Sequence, residues 1–220
     1  MTTKPSAADE LRWSACCHEA GHAWAWHALL GGTIGVVSVR AAAGRHAGIT
    51  IGDPAHPVPY PCIDGTALDG LDPAERRLGD RWLVLYLVGD EAEDALELWT
   101  PTGGFGQPIV EAPPPTLTPA VAALFAEAEV DTRGEPGTYN PKTDPNPADA
   151  RAALELAVAL VGPDTASPYL GWARAEARLA ARTHARPAIH ALASALWREA
   201  IIGGPGVAAI FDAHERSTHA

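Results

Sequence analysis

The stretch running from Ser6-Ala7-Ala8-Asp9 through His18-Glu19-Ala20-Gly21-His22 to Leu29-Leu30-Gly31-Gly32 is where the fold becomes legible. Ser6 with Asp9 three residues on forms a capping box, and the glycine pair is a stop signal. No Pro lies between them and Ala is abundant, so the spacing predicts a helix from about Ala7 to Leu30. Trp13, Cys16, Cys17, Trp24, Trp26, Leu29 and Leu30 are spread around its whole circumference. A helix that is apolar nearly all round is a buried one.

His18, Glu19, His22 and His27 are then polar exceptions in a core element, and buried polar groups need partners. Positions i and i+4 lie one turn apart on one helix face, so His18 and His22 can aim imidazole nitrogens at the same metal ion. Glu19 is offset from them, which suits a base acting on water better than a third ligand. Catalytic zinc wants three protein ligands and one open position. The local candidates for the third are His27, His46 and the acids of the following loops. His27 lies five residues beyond His22 and is turned away from the His18/His22 face. No third His follows at the spacing of the extended zincin signature. Cys16 and Cys17 read as small buried helix residues, and Cys17 points to another face than its neighbour His18.

Composition bounds the rest. The length suits one domain with an ample core, and 47% apolar residues with seven Trp indicate a globular chain. A net charge of −11 and a pI near 5.2 argue against nucleic acid or an anionic membrane as partner. The first ten residues have no apolar segment of a signal peptide. The greasiest run, Trp82–Val88, is far too short to span a bilayer. Three Cys, two of them adjacent, make no disulfide framework. These features together lead us to expect a cytoplasmic protein.

After the helix, residues 33–40 are rich in β-branched side chains and read as a strand, and His46–Ile51 as its hairpin partner. Residues 53–73 are a loop rich in Pro and Asp. Asp72-Pro73 opens a second helix, with breaks expected at Gly79 or Gly89. Its acidic continuation, with Glu91, Glu93, Asp94 and Glu97, is expected as a solvated face. Residues 100–147 hold ten of the twenty Pro around a short helix near 119–130, the composition of a lid, binding loop or linker. Helices are expected at about 147–161, 168–185 and 187–202. A short 206–211 piece leads to a polar tail, where His214 and His219 are expected to be solvated.

His18-Glu19-Ala20-Gly21-His22-Ala23, the strand pair with Ala47-Gly48-Ile49-Thr50, Leu87-Val88-Gly89-Asp90-Glu91-Ala92-Glu93-Asp94 and Asp149-Ala150-Arg151-Ala152-Ala153 together resemble the peptidase domain of the FtsH-type zinc proteases. The resemblance covers most of residues 10–211, with the His-Glu-x-x-His piece its specific part. It implies Zn2+ held by His18, His22 and Asp149, with Glu19 as general base. Asp149 falls at an expected helix start, where a carboxylate is well placed; a plain first-turn acid reads the same way, and Asp144 is the substitute ligand. The fold implied is mainly α with a small β-hairpin (α+β), a helical zinc-peptidase domain over residues 1–220 with a Pro/Gly-rich insertion at about 100–147.

The family joins its peptidase to an ATPase module and membrane helices. This chain has no G-x-x-x-x-G-K-[ST] phosphate loop and no such helices, so the activity implied is that of a zinc metalloendopeptidase that is ATP-independent by itself. Its substrate would be polypeptide, laid along the strand carrying His46, Gly48 and Ile49; a surface-turn role for His46 is the alternative. A separate ATPase partner or a homo-oligomer stays open. The competing expectation is a catalytically inactive, peptidase-derived metal-binding or interaction domain that docks through the Pro-rich loop and the acidic helix.

Overall fold

Helix α1 (Ala7–Ala28) begins at the sequence-encoded cap. In the computed structural model Ser6 Oγ accepts from the Asp9 amide at 3.2 Å, and Asp9 Oδ2 accepts from the Ser6 amide at 3.0 Å. The structure describes residues 5–42, 45–61, 72–96, 101–102, 104–105, 115–131 and 147–218. Asp144, Cys62, His219 and most of residues 100–147 lie outside them. From Cys16 to Ala25 every residue of α1 is buried, so the helix runs through the core as its apolar circumference requires. It stops at Gly31, whose positive φ of 65° lets the chain reverse.

Strands β1 (Ile34–Ala42) and β2 (Arg45–Gly52) form the expected antiparallel hairpin, with Gly48 opposite Val39 and Thr50 opposite Val37. A third strand, β3 (Ile201–Gly203), pairs antiparallel with the other edge of β1 and makes the order β2-β1-β3. Residues 187–202, expected as one helix, instead divide into a helix and a strand. The helix ends at Glu199, Ala200 adopts a left-handed conformation (φ 61°), and Ile201-Ile202 extend along β1. An alanine in that region costs roughly 1 kcal/mol, which pairing with β1 offsets.

The two faces of the sheet are covered differently. One packs on α1, and the other carries α3 (Pro119–Asp131) through Val36, Ile51, Leu117, Val121, Phe125 and Ile201. The described part of the proline-rich insertion therefore includes a helix on the sheet face away from α1, while Thr102 and Phe105 lie against Ser194 and Trp197 of the segment 186–199.

Helix α2 (Pro73–Leu96) starts on Asp72, whose side chain accepts from the Ala74 amide at 2.9 Å. It passes Gly79 and Gly89 without the expected break. Both glycines instead mark close approaches: a Cβ at Gly79 would lie 2.7 Å from Leu160, and Gly89 faces the histidines of α1. At the acidic end of α2, expected as a solvated face, Asp94 is exposed and Glu97 lies outside the described residues, but Glu91 and Glu93 are drawn inward. Glu91 is 3% exposed and receives two hydrogen bonds from Arg178, with Arg174 at 3.7 Å. Glu93 accepts from Ser14 Oγ at 2.5 Å.

Helices α4 (Pro147–Val161), α5 (Pro163–Arg182), α6 (Arg186–Glu199) and α7 (Gly204–Thr218) complete the order. Helix α5 begins five residues before the expected Pro168, because Gly162 turns the chain at φ 80° and Pro163 takes the first helical position. The supposed short piece and tail are one helix, α7, which buries Val207 and Phe211. His214 sits on it half-buried rather than in a solvated tail. The whole is mainly helical with a small antiparallel sheet. Among the described residues no helix is long and apolar enough to cross a membrane.

Candidate metal centre

Side chains from two distant helices meet on the buried face of α1. His18 Nε2 and His22 Nε2 lie 2.9 Å apart, and Asp149 Oδ2, from the first turn of α4, is 3.3 Å from the first and 3.2 Å from the second. Adjacent ligands of a tetrahedral zinc with bonds of about 2.0–2.1 Å are about 3.3 Å apart. The three atoms form one triangular face of such a set, and the donor chemistry, two imidazoles and a carboxylate, is what zinc takes with a fourth position left open. His18, His22 and Asp149 thus come together, although 127 residues separate His22 from Asp149. Asp144 and the side chain of His46 lie outside the described residues.

The surroundings orient the rings. His22 Nδ1 donates to the Leu85 carbonyl of α2 at 2.8 Å, which turns the Nε2 lone pair toward the triangle. His18 Nδ1 lies 3.6 Å from Asp90 Oδ1, also on α2. Between Leu85 and Asp90 sits Gly89, where a Cβ would come within 2.6 Å of His22 Nε2 and 2.7 Å of His18 Cε1. Only a residue without a side chain lets α2 approach this closely. Gly21 does the same from α1, since a Cβ there would lie 2.9 Å from the Val88 carbonyl.

Glu19 is 6% exposed and its carboxylate lies against β2. Thr50 Oγ1 donates to Glu19 Oε2 at 2.8 Å, and a Cβ at Gly48 would be 2.4 Å from Oε1. Gly48 therefore makes room for the Glu19 side chain, and Thr50, two residues on, shares its strand face. Ile49 projects from the opposite face by the same alternation. The backbone of His46 pairs with Ala41 near the hairpin turn, and β2 is an edge strand of the sheet.

Electrostatics bind the cluster together. Burial alone would lower the His18 imidazole, but the hydrogen bond to Asp149 and the charges of Glu19, Glu93 and Asp149 outweigh it and lift it to about 9. Burial likewise opposes ionisation of Asp149, yet its contacts with His18 and His22 hold it well below the usual carboxylate range. Two imidazoles and a carboxylate packed this closely are a donor set suited to a metal cation. Cys16 and Cys17 are fully buried on α1 and belong to the core.

Spacing alone found His18, Glu19 and His22. Thr50, Gly89, Asp90 and the Leu85 carbonyl were not assigned roles, and only the glycines within a helix and a strand signalled close approach. No protein-family model matches the chain, and no curated protein matches it in sequence.

Proposed function

We propose that the chain is a zinc-dependent metallopeptidase similar to the FtsH-type peptidase domain, hydrolysing peptide bonds. The observation that carries this reading is the convergence of His18 Nε2, His22 Nε2 and Asp149 Oδ2 within 3.3 Å of one another, beside a buried glutamate. His18, His22 and Asp149 would hold the zinc, which when bound supplies Lewis acidity to polarise a carbonyl and acidify water.

The remaining work falls to the chain. Leu85 and Asp90 keep the imidazoles turned toward the triangle. Glu19 takes a proton from the attacking water at its carboxylate and later delivers it to the leaving amine. Thr50 fixes the orientation of that carboxylate through Oε2. The outer edge of β2 offers main-chain groups to an extended polypeptide, which pairs there with little demand on its side chains.

Glu19→Gln tests the reading, because it keeps the shape and removes the base. Purified wild-type protein loaded with one zinc should cleave an unstructured substrate such as casein, and the variant should bind zinc equally and cut at least a hundredfold more slowly. Equal rates for the two overturn the mechanism. A full zinc complement with no cleavage by the wild type favours the peptidase-derived binding domain instead.

A further inference from the structure

The first turns of α2 carry three arginines, Arg76, Arg77 and Arg81, in a chain whose net charge is −11. Arg76 lies over the Tyr169 ring of α5 at 6.0 Å. Arg77 and Arg81, at i and i+4, share one stripe of α2. With Asp80 they border a cavity of about 310 Å³ between α1, α2 and α5. Among the described residues no carboxylate forms a salt bridge with either guanidinium.

Helix α5 supplies the facing wall. Trp172, Glu176, Leu179 and Ala180 recur at i, i+4, i+7 and i+8, so one stripe of α5 lines the cavity. Trp172 is 40% and Leu179 56% exposed, two large apolar side chains left in water on one rim. Trp172 is nevertheless fixed: it stacks on Tyr169 with ring centroids 5.4 Å apart, and the Tyr169 hydroxyl donates to Asp80. Glu176, like the two arginines, makes no salt bridge among the described residues. The floor is apolar, built from Val84 and from Trp24, which meets His184 edge-on at 5.5 Å. Trp24 stands two residues beyond His22 and so points away from the His18/His22 face of α1. The cavity is therefore separate from the metal centre.

Size and charge decide what fits. The volume lies at the low end of ligand sites, about 300–1,000 Å³, which suits one amino-acid-sized molecule better than a long chain or a dinucleotide. A plain anion would meet the Glu176 carboxylate and the negative field of the whole chain, and a plain cation would meet two guanidiniums. A zwitterion satisfies both walls, and the apolar floor calls for an apolar body. We propose that the cavity binds a free α-amino acid with an aromatic or large aliphatic side chain. Its carboxylate is received by Arg77 and Arg81 and its ammonium by Glu176, while its side chain covers Trp24 and Val84 against Trp172. This site is independent of the peptidase reading.

Calorimetric titration of the full chain tests this. L-phenylalanine should saturate at one molecule per chain, and L-serine should give no binding heat at the same concentration. N-acetyl-L-phenylalanine lacks the ammonium and L-phenylalaninamide lacks the carboxylate, and each should bind at least tenfold more weakly. Arg77→Gln/Arg81→Gln should weaken phenylalanine at least tenfold and leave the amide unchanged. Glu176→Gln should weaken phenylalanine and leave the N-acetyl form unchanged. All three side chains are exposed, so these variants should fold, which urea unfolding checks. Equal binding of phenylalanine to the wild type and both variants overturns the site, as does no saturable binding at millimolar concentration. Removing metal with a chelator should leave the affinity unchanged; binding lost with the metal would place the ligand on His18 and His22 and overturn the cavity. The readout is binding rather than cleavage, so Glu19→Gln should take phenylalanine like the wild type even if neither cuts casein.

Discussion

Gly89 of α2 faces His22 of α1 with no room for a methyl group between them: a Cβ at Gly89 would lie 2.6 Å from His22 Nε2. The glycine is therefore part of the centre although it offers no ligand. Gly89→Ala should push the imidazole from its place and weaken zinc binding by about 10–100-fold, the range of outer-shell changes at metal sites. The added methyl should also cost about 1–3 kcal/mol of stability through overpacking. Competition titration against a chelator and urea unfolding measure the two effects; an unchanged zinc affinity would mean that α2 does not press on the site.

Asp149 is the proposed ligand drawn from farthest away in sequence. Asp149→Ala should reduce zinc affinity by more than the roughly 100-fold of an outer-shell change, because it leaves two ligands where three met. Asp144→Ala serves as the control and should bind zinc like the wild type. Zinc lost from the Asp144 variant and kept by the Asp149 variant would reverse the assignment.

Thr50 tests how far Glu19 depends on the sheet. Its hydroxyl is the hydrogen-bond donor to Glu19 Oε2, at 2.8 Å, and Thr50→Val removes it at almost constant volume. The carboxylate then loses its fixed orientation, and kcat should fall about 10–100-fold with zinc retained. Stability should drop by about 1–3 kcal/mol, the cost of a buried acceptor without its donor. Full activity in Thr50→Val would detach β2 from the chemistry.

Cys16 and Cys17 test the burial of α1 without touching the centre. Burial raises the Cys16 thiol to about 12 and that of Cys17 well above its ordinary value, and thiolate is the reactive form. At pH 8 both should resist iodoacetamide in the folded protein and react after unfolding in urea. Peptide mapping by mass spectrometry reads this directly, and rapid labelling of either in the folded state would contradict a core α1.

What the sequence makes legible here is local. The Ser6/Asp9 cap, the i, i+4 histidines and the hairpin of β1 and β2 depend on residues a few positions apart, and all of them form. The failures involve distance or backbone geometry. Ile201 and Ile202 look like the end of a helix because nothing in the sequence marks Ala200 as the left-handed residue that redirects the chain to β1. Glu91 looks solvated because its partner, Arg178, is 87 residues away on α5. Thr50 looks like any strand residue until β2 is laid against Glu19. Asp149 was reached only through a resemblance, since periodicity cannot say which first-turn carboxylate returns to α1.

The Glu91–Arg178 pair yields the last prediction, because its two members are unequally placed. The Glu91 side chain is 4% exposed while that of Arg178 is 48% exposed, so removing either one has different consequences. Arg178→Met leaves a buried carboxylate with Arg174 at 3.7 Å, and breaking a buried pair in this way costs up to about 3–5 kcal/mol; the remaining arginine and solvent access bring the expected loss toward the lower end. Glu91→Gln keeps the acceptor oxygen and leaves Arg178 free to reach water, so it should cost less. Urea unfolding of both variants should therefore rank Arg178→Met as the less stable. Because Glu91 directly follows Asp90, movement of α2 in Arg178→Met should also reach His18, and zinc affinity should weaken in that variant while Glu91→Gln stays near wild type. Equal stability of the two would show that Arg174 substitutes fully for Arg178 and that the α2–α5 clasp does not depend on the bidentate contact.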